Sequence, residues 1–191
     1  MSVPHIHQIV NRAQQGDASA VAVLYETYVQ AIYRYIAYRV ATTADAEDLT
    51  AEVFLKMVEG LPRYRFTGAP FEAWLYRIAA ARIVDFRRRA QRRPQVALSE
   101  TMTDGVPLPE EQVQHNQEIE TLRSALQQLS DEHQTILILR FIERRSHQEV
   151  ADILGKSANA IKAAQHRALV QLVALLGSEE KVRHYLRGDH D

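Results

Sequence analysis

Nine arginines lie between Arg63 and Arg93 (positions 63, 65, 77, 82, 87, 88, 89, 92 and 93), opposed only by Glu72 and Asp85, for a net charge of +7. A planar guanidinium presents paired donors that match phosphate oxygens, so this stretch suits a polyanion such as nucleic acid. The plainer reading is a solvated basic helix, which nine arginines with no lysine among them fit less well. The segments on either side are acidic: residues 1–62 carry a net −3 and residues 94–125 a net −5. Charge segregated in this way places a polyanion on one surface and a different partner elsewhere. The whole-chain net charge of −1 conceals the pattern.

A second constellation follows at Ser146-His147-Gln148-Glu149, where Ser at the N-cap and Glu three residues on form a capping box. Val150, Ala151, Ile153 and Leu154 supply the apolar side of a short helix, and Gly155 can take the left-handed conformation that ends it. Ser157 is placed to cap the next helix, expected from Ala158 to about Leu176, with Ile161, Ala164, Ala168, Leu169, Leu172 and Leu176 inward. A small residue, a turn glycine and an anchoring Ile at these spacings are what a helix-turn-helix needs. Asn159, Lys162, Ala163, His166 and Arg167 are left on the outer face for a major groove. An ordinary pair of bundle helices would use the same glycine turn but has no need of both caps.

Other chemistry finds little support. Zero cysteines exclude disulfides and thiolate metal sites. The eight histidines are scattered, without a His-Glu-x-x-His, and no Ser/His/Asp arrangement follows from spacing. No phosphate-binding Gly-x-x-x-x-Gly-Lys loop is present, so nucleotide hydrolysis does not drive any step. No enzyme and no cofactor are expected. No apolar run approaches the ~20 residues that span a bilayer, and the N-terminus does not read as a secretory signal.

The elements that must hold these groups read as helices almost throughout, with nearly no strand signal. Asp17 is an N-cap for a helix whose face carries Val21, Leu24, Tyr25, Tyr28, Ile32, Tyr35, Ile36 and Val40. A second begins near Thr43, its candidate cap, with Asp45, Glu47 and Asp48 complementing the dipole; Leu49, Val53, Phe54, Met57 and Leu61 face inward, and Pro62 ends it. Arg63 to Ala69 reads as a basic, aromatic loop. Pro70 opens a third helix carrying Phe71, Trp74, Leu75, Ile78, Ala79, Ile83 and Phe86, which stops at Pro94. Trp74 shares the register of Phe71 and Ile78, which marks it as a core anchor. Residues 94–117 read as a flexible linker, and helices resume near Glu118, with Ser130 capping one that holds Ile136, Leu137 and Leu139. The tail, 178–191, is mixed in charge and expected to fray. The fold class is therefore all-α: two small helical domains, residues 1–93 and 118–177, joined by the linker.

Together, Asp45-Ala46-Glu47-Asp48-Leu49-Thr50-Ala51-Glu52-Val53-Phe54-Leu55-Lys56, Phe71 to Ala79, and Asp85-Phe86-Arg87-Arg88 resemble region 2 of the extracytoplasmic-function (ECF) sigma factors of RNA polymerase. Ala125 to Leu176 resembles region 4. Both motifs, in this order and without a region 3 domain between them, are specific to that group.

The resemblance implies a bacterial, cytoplasmic transcription initiation factor. Core RNA polymerase would be its partner through the β′ clamp and the β subunit, promoter DNA its target, and an anti-sigma factor its antagonist. It would have no membrane insertion. Asp45, Glu47, Asp48, Glu52 and Phe54 would meet the polymerase. Arg63, Tyr64, Arg65, Phe66, Thr67, Arg77, Arg82, Arg88 and Arg89 would take the melted minus-ten strand. Ser157, Asn159, Lys162, Ala163, His166 and Arg167 would read the minus-thirty-five duplex. The chain departs from the family at Ala81, where Asn is frequent, at Lys156 and at Gln165. A dimeric helix-turn-helix regulator acting without polymerase is the alternative; it accounts for residues 146–176 but not for the arginines or the acidic motif.

Overall fold

Local capping starts most of the helices. The computed structural model describes the backbone of residues 3–92 and 110–187, with side chains over 5–92 and 117–186. Among the described residues there are nine α-helices and no strand. They are α1 (Val3–Gln14), α2 (Ala18–Ala37), α3 (Thr43–Gly60), α4 (Phe71–Arg92), α5 (Glu110–Gln127), α6 (Asp131–Leu137), α7 (His147–Leu154), α8 (Ala158–Leu176) and α9 (Glu179–Arg187). Asp17 caps α2 by accepting from the amides of Ser19 and Ala20. The cap of α3 is Thr42, one residue before the expected Thr43, because the Thr42 hydroxyl reaches the Asp45 amide at 3.0 Å. Pro62 sits inside a 3₁₀ turn, Leu61–Arg63, that follows Gly60, and Pro70 immediately precedes α4. The stop expected at Pro94 lies outside the described residues.

Helices α1 to α4 enclose one core, built on Leu24, Ile32, Ile36, Leu49, Val53, Met57, Leu75 and Ile83, all essentially solvent-free. Helices α5 to α9 enclose the other, on Leu122, Leu126, Ile136, Leu139, Ile161, Leu172 and Val182. Removing one such Leu or Ile side chain would cost roughly 2–5 kcal/mol. A π-helical turn, Ile138–Ile142, continues α6 and carries the chain toward α7.

One helix was not anticipated, and two expectations need correction. The amphipathic segment before Gly16 forms a helix, α1, which packs on α2 through Ile6, Ile9, Val10 and Ala13. The stretch assigned to the linker, 94–117, is helical from Glu110 onward, the first turns of α5; residues 93–109 lie outside the described residues. The tail, expected to fray, is helical over Glu179–Arg187, where α9 buries Val182 and Leu186 against the second core. Two apolar residues four apart were enough, once a groove between α5 and α8 was there to receive them.

The two helical groups also meet. Helix α7 packs on α4, and the π-turn packs on α2. Polar pairs cross the seam. The Tyr35 and Thr135 hydroxyls are 3.0 Å apart, and Arg34 makes a two-pronged pair with Glu143 at 2.7 and 2.8 Å. Arg145 reaches Glu72 at 2.5 Å, and Gln127 donates to the Val40 carbonyl at 3.2 Å. A cleft of about 330 Å³, lined by Tyr35, Tyr76, Arg77, Thr135 and Asp152 among others, remains between them.

Candidate nucleic-acid interface

The basic loop is held from three directions. Gln14 on α1 donates through its amide nitrogen to the carbonyls of Leu61 (2.9 Å) and Tyr64 (2.8 Å), fixing the loop's first turn. Tyr64 lies in an aromatic cluster, its ring centroid 4.7 Å from Trp74, 5.2 Å from Phe71 and 5.2 Å from Phe66. His7 stacks on Phe66 at 4.0 Å. Trp74 comes so close to α3 that a Cβ built on Gly60 would stand 2.7 Å from its ring, which is why a glycine is tolerated at that helix end. Burial pushes the Tyr64 phenol above its ordinary range, and the nearby Arg77 charge opposes this. The tips stay in solvent: Arg63, Arg65, Thr67 and Phe66, the last 36% exposed.

Helix α4 continues this surface. Arg77, Ala81, Arg88 and Arg89 are exposed. Arg82 is half-buried and paired with Asp85 at 2.6 Å, and Arg89 approaches Glu52 at 3.8 Å. The exposed arginines and the loop tips are therefore on one module, with Tyr64 serving as their support more than as an exposed contact. Sequence reasoning did not find His7 and Gln14, because neither carries a motif and both act across long stretches of chain.

The helix-turn-helix follows its expected geometry closely. Ser146 and Glu149 form the reciprocal capping box, and Gly155 is left-handed at φ 65°. The Ser157 hydroxyl oxygen accepts from the Ala160 amide at 3.2 Å and so caps α8. Ile161, Ala164, Ala168 and Leu172 are buried, while Ser157, Asn159, Lys162, Ala163, His166 and Arg167 are exposed on the outer side. The two departures at this end have local partners. Lys156 pairs with Glu132 at 2.8 Å, and Gln165 accepts from Arg140 Nε at 2.9 Å.

On α3, Glu47 and Asp48 are exposed and Glu52 is half-buried, while the Asp45 carboxylate accepts from the Thr42 hydroxyl at 2.7 Å. Phe54 does not share that surface: it is 5% exposed, beneath the Tyr25 ring at 4.9 Å. What accompanies the acids on the outer side of α3 is Leu55, 58% exposed, and Val58. The simple helix periodicity gave no reason to single them out.

Fold and site together define a two-part DNA-binding protein. The Sigma-70 region 2 family matches residues 24–93, and the Sigma-70 region 4 family matches residues 125–173. The chain is 36% identical over 177 residues to the ECF RNA polymerase sigma factor BldN of Streptomyces coelicolor, covering 91% of this chain and 67% of that one. It is 34% identical to SigD of Mycobacterium tuberculosis (90% and 84% covered) and 33% identical to ShbA of Streptomyces griseus (89% and 94%), both ECF RNA polymerase sigma factors. The fold is shared with CnrH, solved in complex with the cytosolic domain of CnrY, at a TM-score of 0.66 and 22% identity, covering 90% and 96%. The chain belongs to the ECF sigma factors, which bind RNA polymerase and promoter DNA to initiate transcription. Among the described residues, no helix is long and apolar enough to cross a membrane.

Proposed function

We propose that this sigma factor opens promoters by capture, with its two modules doing different work on the DNA. The observation that carries the reading is the loop at 63–69: a cationic, aromatic tip on a base tied down by Gln14, Tyr64 and Trp74. When the duplex breathes, a base of the minus-ten element leaves the stack and is received by this tip. Unstacking costs a few kcal/mol, and each base–aromatic stack returns roughly 1–3 kcal/mol. Arg63, Arg65, Arg77, Arg82, Arg88 and Arg89 then hold the non-template strand's phosphates, and Phe66 offers the exposed ring. Thr67 adds a hydroxyl at the tip, and Tyr64 supports the loop from below.

The outer face of α8 reads the minus-thirty-five duplex. Lys162, His166 and Arg167 supply donors, Asn159 a donor and acceptor, and Ala163 a small apolar contact, with Ser157 at the helix start. The acids of α3 (Asp45, Glu47, Asp48 and Glu52) dock on the polymerase β′ clamp, and region 4 meets the β subunit. Phe54 contributes by holding Tyr25 in place. Nothing in this scheme requires a cofactor or a reaction catalysed by the chain. It acts in the bacterial cytoplasm, and an anti-sigma factor restrains it.

Two weak sites on one chain gain effective concentration once the polymerase fixes their separation. Free protein should therefore bind promoter DNA poorly and the holoenzyme tightly. Run-off transcription with core polymerase on a promoter library tests this. Arg65→Ala is expected to impair opening while leaving upstream recognition in place, and Lys162→Ala the reverse. Equal promoter affinity with and without core polymerase, or a symmetric duplex footprint without it, would instead favour a dimeric helix-turn-helix regulator.

A further inference from the structure

Arg39 is 2% exposed, the most deeply enclosed charge among the described residues, and nearly all its partners belong to the other module. Its Nε donates to Gln134 Oε1 at 3.1 Å and its Nη1 to the Thr135 hydroxyl at 3.2 Å, while Nη2 donates to Asp131 Oδ1. Region 2 itself contributes only the Tyr35 hydroxyl and ring. Arg87, one helical turn from the C-terminal arginines of α4, converges on the same acceptors. Its Nη1 donates to Asp131 Oδ1 at 2.9 Å, and its Nη2 to Gln134 Oε1 at 3.3 Å and to the Arg39 carbonyl at 3.2 Å.

Two guanidiniums are thus held side by side around one carboxylate oxygen. The pair keeps an excess of positive charge, an arrangement that an anion with several oxygens would satisfy better than a single Asp. The Asp131 side chain is 54% exposed, so a competing anion can reach it from solvent. Asp131, Gln134 and Thr135 all sit on α6 and leave together if region 4 separates from region 2. Both arginines then stay behind on region 2, beside exposed Arg88 and with few acceptors of their own.

We infer that Arg39 and Arg87 form a phosphate-binding site for the DNA strand, which the Asp131 carboxylate occupies in the closed chain. The site rests on the promoter-binding reading above and adds two contacts to it. It also makes region 4 an internal competitor: the same carboxylate that latches the modules together blocks a cationic part of the DNA path. DNA phosphate and the latch exclude each other, so strand capture and module separation are coupled.

The test uses full-length protein without polymerase and a fluorescently labelled single-stranded DNA oligonucleotide, with anisotropy followed across a salt series. Asp131→Asn should tighten binding severalfold at low salt. It should also steepen the logarithmic salt dependence by about 1.4, the increment for two further phosphate contacts on single-stranded DNA. Glu180→Gln on α9 removes an equal charge elsewhere and should match wild type. Adding Arg87→Gln to Asp131→Asn should return about half of the extra slope, and adding Arg39→Gln the other half. Because Arg39 is enclosed, its variant is read only if its thermal melt matches that of the parent; the partly exposed Arg87 carries the test in any case. The proposal is overturned if Asp131→Asn binds no more tightly than Glu180→Gln, or if its gain survives loss of Arg87. Run-off transcription by the wild-type holoenzyme reports separately on the promoter reading: activity there with no effect of Asp131→Asn on single-strand binding sinks this site alone.

Discussion

The two surfaces proposed to face DNA are built in opposite ways. The helix-turn-helix is assembled from neighbours in sequence: Ser146 with Glu149, Gly155 in the turn, Ser157 with Ala160. The basic loop is assembled from strangers. Gln14 reaches across 47 and 50 residues to its backbone, His7 covers Phe66, and Trp74 comes from the following helix to press on Gly60. A module that inserts a preformed helix into an intact groove can be specified locally. A loop proposed to keep its shape while receiving an extruded base needs support from several elements, because a short loop alone cannot afford the entropy of holding that shape.

That contrast can be broken experimentally. The largest effect is expected from Trp74→Ala, which removes the ring that supports Tyr64 and fills the space over Gly60. A loss of about 3 kcal/mol of stability is expected, in the range of aromatic-to-alanine changes, with strand opening lost in run-off assays. Thermal and urea unfolding followed by circular dichroism check the first part. Ser146→Ala should cost about 1 kcal/mol, the ordinary worth of an N-cap. It should weaken upstream duplex recognition and leave opening on a promoter with a strong minus-ten element nearly unchanged. Gln14→Ala sharpens the comparison most, with the smallest stability loss, about 0.5–1 kcal/mol for part-buried hydrogen bonds. Permanganate footprinting should nonetheless show reduced melting, although Gln14 is not itself a proposed DNA contact and acts only through the backbone of Leu61 and Tyr64. Normal melting by that variant would show that the loop holds its form without α1.

Much of this arrangement could be read from residues alone where the signal was local. Asp17, Ser130, Ser146 and Ser157 each cap the helix they were expected to cap, since a cap depends on the next three residues and little else. Trp74 was legible as inward-packing because its register with Phe71 and Ile78 is a helical property, although it lies half-buried against the core and not within it. The outer face of α8 was legible for the same reason. Helix α1 and helix α9 were not, because short amphipathic segments become helices only when a partner surface accepts their apolar side. The resemblance implied that Phe54 meets the polymerase, although its helical register already placed it on the inward face; it is buried, and Leu55 is the residue left outside.

Read residue by residue, the chain already carries its helical class, its two modules, its charged stretches and its family, since these follow from periodicity, capping and motif order. Tertiary structure alone decided how the modules meet. Arg39 and Asp131 are 92 residues apart, and no pattern in the chain pairs them. A buried arginine is tolerable only where hydrogen-bonding partners and a countercharge converge on it, and here that convergence exists because α6 docks on the corner between α2 and α3.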